Sequence, residues 1–292
     1  MASLRDVQNK IAGVKKTKQI TKAMNMVASA KLRSAQERIE RFRPYAQKFY
    51  DMLGDLASGA DESVHPLLEV REEIKSVGIL VASSDRGLCG AFNSNIIHTA
   101  EKLAQSKTAE GKAIKLYCLG KKACEYFRKL DYEIVREERE AMSHFDFTLA
   151  ASVGDEFIRD YMAGDIDEVH IVYGEFQSMA RQVPVDQQIL PMASHEEAGE
   201  GEGGDSGDYI YEPSVEGLLA ELLPRFIKVQ VYRGLLDTSC SEHAARMSAM
   251  DNATKACDEM SEQLTLLFNK TRQAAITADL MDIVGGVEAL KG

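Results

Sequence analysis

The sequence predicts a mixed α/β fold, in which long N- and C-terminal helices pair as an antiparallel coiled coil and the segment between them forms a central α/β domain. Residues 4–56 show a heptad pattern of apolar residues, residues 77–190 alternate apolar runs with helical segments, and residues 214–285 form a second long amphipathic segment. The expected limits are 1–58 for the N-terminal coiled-coil helix, 75–195 for the α/β domain, 196–208 for a mobile acidic loop, and 209–292 for the C-terminal helix and tip.

The first helix is predicted from a 4-3 spacing of apolar residues that begins at Leu4 and ends at Leu56. Thirteen of the sixteen positions with this spacing are apolar, which is typical of a coiled-coil seam. Pro44 lies inside this segment. Because the seam resumes in phase after it, we expect the helix to continue through the proline with a kink.

Three consecutive positions of this seam, Lys18, Thr21 and Asn25, are polar. They lie in the stretch KKTKQITKAMNMVASAKLR (15–33), where the apolar side chains move to another face of the helix. A single polar seam residue often fixes the register of a coiled coil, and this explanation stays open here. Three in a row, surrounded by lysines, favour the alternative that this part of the helix faces something other than its partner helix.

The charge is distributed unevenly along the chain. The net charge is −11 for the whole sequence, but about +9 for residues 1–50 and about −19 for residues 51–224. A basic arm on an acidic body indicates an anionic partner for the arm, which could be nucleic acid, lipid headgroups or acidic protein loops.

The central segment predicts a Rossmann-like domain with a largely parallel sheet. Its apolar runs have the length of buried strands and alternate with segments of helix length, as in parallel strands joined by covering helices. The predicted strands are VGILVAS, IKLYCLG, YEIVRE, EVHIVYGEF and ARQVPVDQQIL, and the predicted helices are SNIIHTAEKLAQ, KKACEYFRKL and TLAASVGDEFIRDYMAG.

The second long helix is predicted from Ser214 to about Gly285, with an apolar seam that contains many alanines. Small seam residues suit close approach of two helices. If both long helices start level on the domain, Ala35 lies beside Leu235 and Leu236. The C-terminal end of the second helix then extends beyond the first helix and needs apolar contacts elsewhere.

The residues that usually carry cofactor or metal chemistry are not arranged for it. In the turn DRGLCGAFN (85–93), Gly87 and Gly90 supply G-x-x-G without the G-x-G-x-x-G of a dinucleotide site, so we predict a structural tight turn. The six histidines lack metal-ligand spacing, and the five cysteines form no C-x-x-C pair. We therefore predict no cofactor, no metal site and no catalytic residues.

The sequence shows no run of eighteen apolar residues, and its N-terminus lacks the apolar stretch of a secretory signal. We therefore expect no membrane span and a cytoplasmic location.

Five motifs, in order along the chain, resemble those of the gamma subunit of F-type ATP synthases. They are ITKAMNMVASAKLRSAQ, DRGLCGAFN, DYIYEP, EHAARMSAM and NKTRQAAITADLMDIVGGVEAL, and the resemblance covers essentially the whole chain. It implies a non-catalytic central-stalk rotor that couples ion flow through a membrane c-ring to ATP synthesis or hydrolysis, and that regulates ATPase activity and proton flow. The implied partners are the alpha and beta subunits, the epsilon subunit and the c-ring.

The resemblance also implies two contact surfaces. Contacts with the stator, the ring of alpha and beta subunits, are expected from Lys15, Lys16, Lys18, Lys22, Met24, Arg246, Arg272, Gln273 and Thr277. Tyr211 and Glu212 are expected to face the c-ring from the foot, the part of the rotor formed by the α/β domain. The implied location is the cytoplasmic face of the bacterial inner membrane, with membrane contact only through the complex.

Two other functions are open at this point. A basic helix could bind nucleic acid, but residues 15–33 contain no aromatic side chain for stacking and the rest of the chain is acidic. An α/β enzyme could use the carboxyl edge of its sheet, but no acid–base pair or cofactor loop is present there. We therefore expect no nucleic-acid partner, and copurification with an ATPase ring would distinguish the rotor from both alternatives.

Overall fold

The computed structural model of the chain describes residues 4–57, 65–69, 71, 73–192 and 215–291. In chain order these residues form α1 (Leu4–Ala57), β1 (Ser76–Ala82), α2 (Phe92–Ala109), β2 (Ala113–Leu119), α3 (Lys121–Phe127), β3 (Glu133–Glu138), a short 3-10 helix (Ala141–Ser143), α4 (Phe147–Ala163), β4 (Glu168–Phe176), β5 (Gln182–Leu190) and α5 (Val215–Lys291). The acidic loop expected at 196–208, together with Tyr211 and Glu212, lies outside the described residues.

Contacts within the chain divide it into two compact units. The domain unit comprises residues 29–246 and contains the whole sheet. The two-helix unit comprises residues 1–28 and 247–292, and its described residues form the N-terminal part of α1 and the C-terminal part of α5.

The domain unit is built on a five-stranded sheet with the strand order β3-β2-β1-β4-β5. All neighbouring strands are parallel except β5, which runs antiparallel to β4. Along β1, Val77, Ile79 and Val81 pack with residues of α2 and α3, whereas Leu80 and Ala82 pack with residues of α4 and α5. The prediction of a largely parallel sheet with covering helices is therefore confirmed.

Two glycines allow close approaches that this packing requires. A Cβ at Gly120, where φ is +93°, would lie 2.1 Å from the carbonyl oxygen of Ser83, so the turn after β2 accepts only glycine. A Cβ at Gly154 would lie 2.8 Å from Cγ and 3.3 Å from Cα of Lys228. Helices α4 and α5 therefore pack closely at Gly154.

A charged cluster joins β4 to the edge strand β5. His170 Nδ1 lies 2.7 Å from an oxygen of Asp186, and His170 Nε2 lies 2.8 Å from an oxygen of Glu168. Lys107 Nζ donates to both oxygens of Glu168, at 2.7 and 2.8 Å. Burial alone would lower the pKa of His170, but the two carboxylates outweigh it and raise that pKa above its ordinary value. The cluster is therefore most stable with a protonated imidazole.

The two long helices continue through residues that often end helices. Pro44 lies inside α1 and Pro224 inside α5, so the predicted continuation through Pro44 is confirmed. Helix α5 also continues past its predicted end, through Gly285 and Gly286 to Lys291. Each glycine costs about 1 kcal/mol relative to alanine in a helix, yet the helix continues on both sides of the pair. No helix in the described part of the chain has a stretch apolar enough to cross a lipid bilayer.

In the domain unit, aromatic side chains set the register of α1 against α5. The ring of Phe49 stacks on Phe226 with centroids 6.3 Å apart. Phe42 meets Tyr232 edge-on, with ring centroids 5.1 Å apart. These large side chains fill the space between the helices and favour one alignment over its neighbours.

The predicted register is wrong by about one helical turn. Two heptads from the Phe49–Phe226 pair, Ala35 comes opposite Cys240 instead of beside Leu235 or Leu236. The prediction assumed that both helices start level on the domain. Packing of the aromatic residues decides the alignment, and the positions of the helix ends do not.

Candidate functional site: the two-helix unit and the turn at Arg246

The polar seam residues of α1 make polar contacts with α5. Thr21 Oγ1 lies 2.8 Å from Thr254 Oγ1. Asn25 Nδ2 donates to the backbone carbonyl of Met247 at 2.8 Å. Both pairs lie inside the two-helix unit, so the two helices remain in contact where the apolar seam is interrupted.

Lys18, the third polar seam residue, forms an ion pair with Asp258. The side chains are 40% and 49% exposed, and exposed pairs of this kind contribute about 1 kcal/mol or less. The expectation that this stretch turns away from its partner helix is therefore wrong. Because α5 offers polar groups at the same level, polar contacts replace apolar ones, and the register explanation fits all three residues.

The outer surface of α1 in this unit is both basic and apolar. Ile20 and Val27 are 59% and 58% exposed, and Met24 is half-buried. The apolar residues thus leave the seam as predicted. The exposed lysines beside them are Lys15, Lys16 and Lys22. These side chains are accessible to another molecule, and their contact with a stator stays a prediction.

Helix α5 extends beyond the described start of α1. The Thr21–Thr254 pair places Leu4 opposite Thr271 in an antiparallel heptad register. From residue 272 to residue 290 every residue is exposed except Ala275, which is half-buried. The predicted contact residues Arg272, Gln273 and Thr277 all lie on this exposed segment, where Thr277 Oγ1 donates to the carbonyl of Gln273 at 2.9 Å.

Five large apolar side chains form one stripe along this exposed segment. Because their spacing is 4-3-4-3, they lie on one face of the helix. We call this set the tip stripe, and its members are Ile276 (52% exposed), Leu280 (56%), Ile283 (64%), Val287 (46%) and Leu290 (89%). The sequence analysis expected apolar contacts here but did not identify these residues, although their spacing was a usable signal.

The tip stripe is not a continuation of the seam that faces α1. The seam positions Phe268 and Ala275 are half-buried, and the next position seven residues on is the exposed Asp282. The stripe begins one residue after Ala275, so it lies about 100° around the helix from the seam. The apolar surface of α5 therefore changes direction beyond the end of α1.

In the domain unit, Arg246 is buried against the chain's own backbone. Its Nη2 donates to the carbonyls of Arg86 and Gly87, both at 3.2 Å. Its Nη1 forms an ion pair with Glu242 at 2.7 Å, and both side chains are almost fully buried. Arg246 was predicted to contact the stator. In this structure its guanidinium holds the turn after β1 against α5.

The turn held by Arg246 contains Leu88 in the left-handed region, with φ of 64°. The carbonyl of Arg86 also accepts hydrogen bonds from Ser84 Oγ at 2.6 Å and from Asn93 Nδ2 at 3.4 Å. A strained residue persists when its surroundings fix it in this way. Hydrogen bonds therefore fix the turn between β1 and α2, in agreement with the predicted structural tight turn.

Within the described residues, no group of three or more His, Cys, Asp or Glu side chains could hold a metal ion. Cys89, in the same turn, is buried, and burial raises the pKa of its thiol. A raised thiol pKa lowers the fraction of reactive thiolate.

Comparisons with known proteins identify the family. A family model described as "ATP synthase" matches residues 3–290. The ATP synthase gamma chains of Maridesulfovibrio salexigens and Nitratidesulfovibrio vulgaris are 70% and 69% identical over 292 residues, covering 100% of both chains in each case. A chain of the Euglena gracilis mitochondrial ATP synthase (OSCP/F1/c-ring) shares the fold, with a TM-score of 0.67 and 22% identity, over 98% of this chain and 94% of that one. The chain therefore belongs to the ATP synthase gamma chain family.

Proposed function

We propose that this chain is the central-stalk rotor subunit of an F-type ATP synthase. It couples the flow of protons or other ions through a membrane c-ring to ATP synthesis or hydrolysis at the ring of alpha and beta subunits. It regulates ATPase activity and proton flow and contributes no catalytic residues of its own. The complex holds it at the cytoplasmic face of the bacterial inner membrane.

The observation that carries this proposal is the exposed tip stripe. Large apolar side chains in a row on an exposed helix mark a surface that another molecule covers. The stripe lies at the end of a helix that extends beyond its partner helix, where a surrounding apolar bore can enclose it. Apolar contacts are non-directional, so such a bore can hold the tip while allowing it to turn.

A second contact with the stator is electrostatic. Lys15, Lys16 and Lys22 are exposed and take part in no ion pair among the described residues, whereas Lys18 is paired with Asp258. Acidic loops of the beta subunits would attract the three unpaired lysines most strongly at low ionic strength.

The remaining proposed contacts follow the family motifs. Met24, Arg272, Gln273 and Thr277 would line the boundary with the stator. Arg246 would act there only if it left the turn that it holds in this structure. Tyr211 and Glu212 would face the c-ring from the foot, which also binds the epsilon subunit.

Reconstitution tests the proposal directly. Alpha and beta subunits mixed with the full chain should form a complex that hydrolyses ATP, and a probe at a Lys102→Cys label, on the exposed surface of α2, should rotate when ATP is added to an immobilised ring. The same mixture without the chain is the control. A chain that does not join the ring, or that joins it without rotating, would refute the rotor function.

Charge reversal tests the electrostatic contact separately. Changing Lys15, Lys16 and Lys22 to Glu should reduce the protons pumped per ATP hydrolysed in reconstituted vesicles, while the isolated chain stays helical because exposed charges contribute little to folding. A matched control changes two exposed lysines of the domain unit, Lys102 and Lys129, to Glu. Equal pumping by the two variants at low salt would exclude the electrostatic contact.

A further inference from the structure

A cavity of about 250 Å³ opens in the domain unit between α1, the end of β4 and α5. Its apolar lining includes Ile39, Phe42 and Ala46 of α1 and Leu236 of α5. Five of its ten lining residues are polar or charged, so the cavity offers an apolar wall to an alkyl chain and polar partners to a charged head group.

Four charged side chains line the same cavity, and the carboxylate of Asp237 is less exposed than either guanidinium group. The side chain of Asp237 is 14% exposed, whereas Arg233 is 43% exposed and Arg43 lies at the surface. Glu175, at the end of β4, is half-buried and adds a second carboxylate. The two guanidinium groups are therefore more accessible to solvent than the Asp237 carboxylate, and the cavity holds charges of both signs.

Asp237 is only loosely neutralised in this position. Its ion pair with Arg233 spans 3.9 Å, which is longer than a hydrogen bond. Burial raises the pKa of Asp237 to about 6, with Glu175 adding to the shift and Arg233 and Arg43 opposing it. A cation placed closer to this carboxylate would offset the cost of burying its charge.

We propose that this cavity binds the end of an alkyl chain that carries an ammonium or guanidinium group. The chain packs on Phe42 and Leu236, and the cationic head donates hydrogen bonds to Asp237 and Glu175. The head group belongs either to a free alkylamine or to a lysine or arginine of a neighbouring subunit. This site is separate from the tip stripe and does not depend on the proposed rotor function.

The test uses the full chain and n-butylammonium as the probe, with n-butanol as the uncharged control of similar size. Saturation-transfer NMR should detect the probe at about pH 7.5 much more strongly than n-butanol. Between about pH 7.5 and pH 5 its affinity should fall about tenfold, because a carboxyl with a pKa of about 6 becomes mostly protonated, while the alkylammonium stays charged. Cys240 does not titrate in this range, since burial raises its thiol pKa to about 12.

Asp237→Asn keeps the shape of the side chain and removes its charge. In this variant the affinity for n-butylammonium at pH 7.5 should fall about tenfold, and the change in affinity centred near pH 6 should disappear, whereas Glu175 still favours the cation over n-butanol. Equal binding of the two probes to the unsubstituted chain, binding that is independent of pH, or an undiminished affinity in Asp237→Asn would each overturn the proposal. The pH series on the unsubstituted chain provides this test even if the variant fails to fold.

The source of the head group is decided by repeating the measurement on the assembled alpha–beta ring complex. Binding of n-butylammonium to the complex as well as to the free chain assigns the site to a free amine. Binding to the free chain alone assigns it to a side chain of a neighbouring subunit. Absence of binding to the free chain overturns the proposal whatever the complex does, and it leaves the rotor function untouched.

Discussion

Removing the apolar character of the tip should weaken the hold of the alpha–beta ring on this chain. The variant replaces four members of the tip stripe, Ile276, Leu280, Ile283 and Val287, with Gln. Gln is a good helix former, so the helix should persist. These side chains are 46–64% exposed and lie beyond the described start of α1, so replacing them should change the free energy of unfolding little.

The expected magnitude follows from those exposures. Full burial of a Val, Leu or Ile side chain contributes about 1.5–3 kcal/mol, and roughly half of each side chain is still available for burial, so each contributes about 1 kcal/mol to binding. Four such side chains contribute about 4 kcal/mol. The entropy cost of association is the same for both chains, so the dissociation constant should rise about a thousandfold.

The assay is sedimentation of the ring with increasing amounts of the labelled chain, at fixed salt concentration. Helix content and urea unfolding of the isolated variant should match those of the unsubstituted chain. Met162→Gln with Met179→Gln provides a matched control, since these domain residues are 52% and 50% exposed. A tip variant that binds as tightly as this control would refute the enclosure of the tip by an apolar bore.

Three further predictions concern the fold. His170→Gln should cost most stability below pH 6.5 and less as the pH rises through the raised pKa of His170, because the carboxylates stabilise the protonated ring. Urea unfolding at about pH 6 and 9 measures this cost, and a cost that grows with pH would contradict the prediction. Gly154→Ala should destabilise the chain by about 1–3 kcal/mol in urea unfolding, since the new Cβ would lie too close to Cγ and Cα of Lys228. An unchanged unfolding midpoint would show that α4 and α5 separate freely. Ala35→Cys should oxidise slowly to a bridge with the buried Cys240, visible as faster migration on a non-reducing gel and absent when Cys240 is Ser. A bridge to a cysteine at the position of Leu236 instead would restore the level-start register.

The parts of the fold predicted correctly are those with a local periodic signal. The seam of α1 continues in phase through Pro44, and the helix does too. The seven residues of β1 are all buried, as its unbroken apolar run predicted for a central parallel strand. In each case the residues that form the sequence pattern also form the element, and they lie within one or two helical turns or along one strand.

The candidate site was predicted less completely, because exposure depends on what lies opposite. The family motifs identified the parts of α1 and α5 in which the candidate contact residues lie. They could not show that Lys18 is paired with Asp258 or that Arg246 is buried on the carbonyls of Arg86 and Gly87. These partners lie far away along the chain, so no local pattern relates them.

Amphipathic period, strand length and turn residues were enough to establish long terminal helices around an α/β domain, since each reflects burial of one face of a local element. The register of α1 on α5 depends on contacts between the two helices, such as those of Phe49 with Phe226 and of Thr21 with Thr254. The heptad repeat allows every register that differs by seven residues and several that differ by less. Only the shapes and hydrogen-bonding groups that meet across the two helices select one of them.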